Sequence, residues 1–160
     1  MIDALTDLGD QITGFEAGAT NDELDLSAAA VKPSIVGLSS GSKTAANWGS
    51  AGFFVIDADT AGASATMNAT DVAAAATTNF DNIDANEVAL VLLKADHDNA
   101  NSDAFIYRMV ANGGGTALAS ATLVATLKGV GDTNTFHTDN FDIGPVPPSP
   151  SRLEPTPPPA

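Results

Sequence analysis

Asp96, Asp98, Asn101 and Asp103 place four oxygen-bearing side chains within eight residues of one polar stretch, 96–103. Calcium and similar hard cations take about six to eight oxygens from carboxylates, amides and carbonyls, so ion binding is the chemistry such a loop offers. The spacing departs from the helix-flanked calcium loop, because Ala100 falls at a ligand position and no bidentate Glu ends the stretch. Two readings stand: a bound ion, or a solvated loop folded by Asx turns.

Other chemistries find less material. His97 and His137 lie in different polar segments with no His-x-x-x-His spacing, and the chain has no cysteine, which removes thiolate zinc sites, disulfides and thiol redox. No G-x-S-x-G elbow is present. Pairs of carboxylates arise by chance in a chain with sixteen Asp and four Glu, so they do not by themselves mark acid–base catalysis. No catalytic residue is assigned, and a non-enzymatic role is expected. Trp48, Phe53, Phe54 and Tyr107 are the aromatic candidates for a carbohydrate platform; Phe53 and Phe54 fall inside an apolar run and read as core, leaving Trp48 in its polar surroundings as the residue to test.

Twenty acids against six bases give a formal charge of −14, which repels nucleic-acid backbones and anionic membranes alike. Asp outnumbers Glu, and Asp belongs to turns, caps and metal loops more than to helix faces. No stretch of about 18 apolar residues is available to span a membrane. The first residues, Met1-Ile2-Asp3-Ala4, lack the basic and apolar regions of a cleaved signal, so an export address is expected elsewhere.

The elements that must position these residues are mostly strands. Phe53-Val55-Ile56 lies in an apolar run bounded by Gly52 and Asp57, and a short strand is expected at Ile35 to Leu38 inside a Ser/Gly-rich stretch. Glu87 to Lys94 and Ala104 to Val110 read as a hairpin whose connection is the Asp-rich stretch. Residues 119–130 fit a strand through the alternation of Thr122, Val124 and Thr126 with Ala121, Leu123 and Ala125. One short helix is expected at Asp71 to Ala76, with Thr70 as its N-cap. Eight of the nine prolines fall within 145–159, where the missing amide donors prevent ordinary helix or sheet.

Two segments carry a resemblance. Asp10-Gln11-Ile12-Thr13-Gly14-Phe15-Glu16-Ala17-Gly18, followed by Asp22-Glu23-Leu24-Asp25-Leu26-Ser27, resembles the D-x-I-x-x-F-x-x-G…D-x-L-D-L-S segment that closes the parallel β-roll of repeats-in-toxin proteins. The later strands, with Gly129-Val130 and Asn140-Phe141, resemble the end of large secreted or surface-layer proteins of that group. The resemblance implies calcium-dependent folding after type I secretion, with Asp10, Asp22 and Asp25 on calcium-facing turns. No G-G-x-G-x-D nonapeptide occurs, so it implies a segment downstream of the roll, or the β-sandwich that follows one.

The expectation is therefore a mainly β, antiparallel β-sandwich-like domain over 1–144 with one short helix, followed by a Pro-rich tail or linker over 145–160. It is expected to act outside the cell or at its surface as a structural module, with calcium ions as ligand. An adhesin recognising surface glycans and a self-assembling filament or surface-layer subunit are the alternatives.

Overall fold

In the computed structural model the described residues are 2–3, 9–17, 22–26, 35–39, 52–60, 62–76, 86–96, 99, 101–115, 117–130, 136 and 138–142. Trp48, Asp98, both histidines and the Pro-rich tail lie outside them. The elements run β1 (Ile2–Asp3), β2 (Asp10–Thr13), β3 (Leu24–Asp25), β4 (Ile35–Ser39), β5 (Phe53–Asp59), α1 (Ala69–Ala76), β6 (Val88–Lys94), β7 (Ala104–Ala111), β8 (Leu118–Lys128) and β9 (Phe141–Asp142). A 3-10 turn over Thr138–Asn140 leads into β9. The described residues are thus mainly β with one short helix, as the apolar runs imply. Among the described residues no helix is long and apolar enough to cross a membrane.

Six strands form one sheet in the order β2-β8-β7-β6-β5-β4. The β6–β7 hairpin pairs antiparallel from Val88 opposite Val110 to Lys94 opposite Ala104, and β8 continues antiparallel on β7. The expectation of an antiparallel domain fails beyond these three strands. β4 with β5, β5 with β6, and β2 with β8 are all parallel, so the sheet is mixed. The reason lies in the connections: the chain between β5 and β6 passes through α1, and a crossover of a dozen or more residues lets a strand return in the same direction. A second sheet, in the order β1-β3-β9, consists of three two-residue strands, all parallel.

Both faces of the large sheet are covered, which is why β6 reads as an unbroken apolar run and is buried from Ala89 to Lys94. On one face Phe53, Val55, Leu90, Leu92, Ile106 and Leu127 pack with Ile12 and Phe15 and with Leu24, Leu26 and Phe141 from the small sheet and its flank. On the other, Phe54, Ile56, Val91, Leu93, Phe105, Tyr107 and Met109 lie under Val72 and Ala75 of α1. Phe53 and Phe54 are therefore core side chains on opposite faces, in keeping with their place in an apolar run.

A register shift changes the phase of β8. Ile106 faces Ala125 while Tyr107 faces Leu123, so Val124 is the extra residue of a bulge. Before it, Ala121 and Leu123 pack on the α1 side; after it, Ala125 and Leu127 join the opposite cluster. The helix begins two residues earlier than expected. The Asn68 side-chain oxygen accepts from the amides of Thr70 and Asp71 at 2.9 and 3.1 Å, and Asp71 Oδ2 accepts from Asn68 N–H at 3.4 Å. Asn68 is the N-cap of a reciprocal capping pair, and Thr70 lies inside the helix.

Candidate functional site

The hairpin connection brings Asp103 to the end of β8. Lys128 Nζ lies 2.5 Å from Asp103 Oδ2, with both side chains partly exposed, and Gly129 N–H donates to Oδ1 at 3.2 Å. Gly129 holds φ at 68°, a left-handed conformation that glycine adopts without a Cβ clash, and this turn aims its amide at the carboxylate. Val130 N–H then donates to Ser102 O at 2.9 Å, and Ala95 N–H to Asp103 O at 3.0 Å. Each Asp103 oxygen thus has a partner, and the residue fastens β8 to the loop that starts β7. Asn101 is drawn into an Asx turn, its N–H donating to Asn99 Oδ1 at 3.0 Å. Asp96 is exposed, and Asp98 lies outside the described residues.

The N-terminal acids are divided between the two sheets. Asp10 starts β2 opposite Ala125. Asp22 makes a double link with Glu16: its Oδ2 accepts from Glu16 N–H at 2.9 Å and its N–H donates to Glu16 O at 3.0 Å. Its own carbonyl accepts from Asn140 Nδ2 at 2.8 Å, across 118 positions of chain. Asn140 is fully buried, so this bond ties the approach to β3 to the approach to β9. Asp25 lies in β3, in the small sheet. Asp10 therefore does not share a strand layer with Asp22 and Asp25. Among the described residues no group of three or more His, Cys, Asp or Glu is gathered closely enough to hold a metal ion.

The small sheet adds residues that the sequence reading did not single out. Asp3 pairs in register with Asp25, and Asp25 with Asp142, so three aspartates occupy equivalent positions on neighbouring parallel strands. Strands in such a sheet lie about 4.8 Å apart. Each of the three follows an apolar residue, in Ile2-Asp3, Leu24-Asp25 and Phe141-Asp142, but so do Asp57, Asp81 and Asp84, so the dipeptide does not single them out in the sequence.

Two buried polar side chains complete the picture. Lys94 is 1% exposed, and its Nζ stands 5.2 Å from the centroid of Phe136, which also contacts Phe15 and Phe141 at 6.3 and 5.7 Å between centroids. Such a ring face favours a desolvated ammonium. Tyr107 donates its hydroxyl to Ser64 O at 2.5 Å and accepts from Met67 N–H at 3.2 Å. Burial pushes its pKa above 10.0, opposed by the Met67 bond. Tyr107 is thus held in the layer between the sheet and α1 and is no exposed sugar platform. Compared with known proteins, the chain matches no family model, no curated protein and no solved structure.

Proposed function

We propose that the chain is a non-enzymatic structural module that works outside the cell or at its surface, as the C-terminal part of a calcium-dependent secreted protein. The observation that carries the reading is the register of Asp3, Asp25 and Asp142 across three parallel strands. Carboxylates stacked at strand spacing repel one another, and a divalent cation or open solvent relieves that repulsion. With a chain charge of −14, ion binding would favour the compact state where calcium is plentiful. In this reading the small sheet is the second layer of a sandwich-like core, and Asp25 and Asp142, in register on adjacent strands, are the two carboxylates that a hard cation would bridge, with solvent completing its shell. The loop with Asp96, Asp98, Asn101 and Asp103 suits one less, because the Lys128 ammonium already stands against Asp103.

The test is a thermal melt of the full chain in millimolar calcium and in chelator. Ligand binding to the folded state alone stabilises by about 2.7 kcal/mol at a hundred times the dissociation constant, enough to raise the melting temperature by several degrees. The Asp25→Asn/Asp142→Asn double variant should lose most of that rise, while Asp103→Asn keeps it. Identical melts with and without calcium would rule the reading out.

A further inference from the structure

We propose that Asn112 is a self-modification site, at which the backbone nitrogen of Gly113 displaces the Asn112 side-chain amide as ammonia. Of the asparagines in the chain, Asn112 alone is followed by glycine. Attack on a side-chain Cγ by the next residue's backbone nitrogen requires that nitrogen to turn toward it, and a Cβ on the next residue obstructs the approach. Every other asparagine has that obstruction, from Asn101-Ser102 to Asn134-Thr135.

The turn between β7 and β8 holds the reacting groups together. Asn112 Oδ1 accepts from Gly114 N–H at 3.1 Å, an Asx turn whose ring contains both Cγ of Asn112 and the nitrogen of Gly113. The side chain is thus folded back along the bond it must meet, and no diffusional encounter precedes the step. Gly115 N–H donates to Asn112 O at 3.1 Å, Asn86 N–H to the same oxygen at 3.2 Å, and Asn112 N–H to Ala117 O at 2.8 Å. The bonds that close the turn use the amides of Asn112, Gly114 and Gly115, not that of Gly113. Gly113 and Gly114 are exposed, so solvent base reaches the proton that must leave. Other asparagines are committed differently. Asn68 caps α1 and Asn140 is fully buried. Asn99 makes the same kind of turn, with Asn101 N–H on its Oδ1 at 3.0 Å, but Ala100 follows it.

The chemistry needs only water. Gly113 N loses its proton to solvent hydroxide and bonds to Cγ; the bond from Cγ to Nδ2 breaks, and the leaving nitrogen takes a proton from water to depart as ammonia. Water then opens the cyclic imide at one of its two carbonyls, giving aspartate, or isoaspartate in which the chain runs through Cβ. Either product adds one negative charge to a chain that already carries −14. Aspartate keeps an acceptor for Gly114 N–H, whereas isoaspartate lengthens the chain inside the turn closed by Asn112 N–H and Ala117 O. The β7–β8 turn therefore records the age of the folded chain, and this inference rests on no part of the calcium reading.

Incubation of the folded full chain in mildly alkaline buffer, followed by intact-mass and peptide mass spectrometry, tests the proposal. Ammonia should be released, the mass should rise by the difference between an amide and a carboxylic acid, and mapping should place the change at position 112 with isoaspartate among the products. The peptide bearing Asn99 and Asn101 is the internal control and should convert at least about tenfold more slowly. Gly113→Ala should slow the reaction at position 112 by a similar factor at an unchanged melting temperature, since a Cβ at Gly113 meets only Asn86 Oδ1, at 4.0 Å. Hydroxylamine, which opens the imide, should cleave wild type after Asn112 and leave Gly113→Ala largely whole. No change at position 112, equal conversion at Asn99 or Asn101, or an unaltered rate in Gly113→Ala would each overturn the proposal.

Discussion

The Tyr107 hydroxyl joins the sheet to the segment before α1 by donating to Ser64 O and accepting from Met67 N–H, 43 and 40 positions away. Tyr107→Phe removes one group and strands two backbone partners, at a cost of about 1–3 kcal/mol, read by chemical denaturation.

The same residue predicts a pH dependence. Burial raises its folded pKa above the value of 10.0, so the neutral hydroxyl is the form the fold favours. Its contribution is fully present below pH 10 and is lost as the pH climbs from there through the folded pKa. Wild type should therefore lose stability in that alkaline window more steeply than Tyr107→Phe. As Tyr107 is the only tyrosine, tyrosinate absorbance reads its titration directly, and an ordinary midpoint in the folded chain would contradict the placement.

The start of α1 gives a sharper contrast. Asn68→Ala should destabilise by about 1 kcal/mol through loss of the cap, whereas Thr70→Ala, at an exposed helical position, should change stability by less than about 0.5 kcal/mol. Paired melts of the two variants decide the matter. An equal loss in both would return the cap to Thr70.

That cap illustrates what was legible in the letters. Residues 66–71 contain Thr66, Asn68, Thr70 and Asp71, all able to cap, and only the path of the chain selects among them. The strands were readable because Val88–Lys94 and Ala104–Ala111 are apolar runs with β-branched and aromatic residues around an Asp-rich connection. Strand direction was not, since the parallel pairs depend on long connections and leave no mark on the strands themselves. The alternation read across Leu123, Val124 and Ala125 missed the bulge, because a one-residue insertion preserves apolar content while exchanging faces. The Asp3–Asp25–Asp142 register was invisible for a related reason: two-residue strands have no periodicity, and their partners are distant in sequence.

The fastening of β8 to the hairpin loop can be divided by double substitution. Asp103→Asn should retain an acceptor for Gly129 N–H while losing the ion pair, and Asp103→Ala should lose both. Because Asp103 and Lys128 are partly exposed, their coupling in a cycle with Lys128→Met should be about 0.2–1 kcal/mol and should shrink in high salt. A coupling that ignores salt would mean that the ammonium and carboxylate are desolvated.

Asn140 supplies the most demanding case. Its amide is fully buried and donates to Asp22 O at 2.8 Å, holding the chain ahead of β3 against the chain ahead of β9. Asn140→Ala should cost about 1–3 kcal/mol by leaving that carbonyl without its donor. Asn140→Asp keeps the size but, when ionised, sets a carboxylate against the carbonyl and should be the worse of the two at neutral pH. Acidification should narrow the gap between them, because a protonated carboxyl can again donate to Asp22 O. Equilibrium unfolding of both variants across pH measures it directly. If Asn140→Asp remained as stable as wild type at neutral pH, the side chain could not be the buried donor between these two segments.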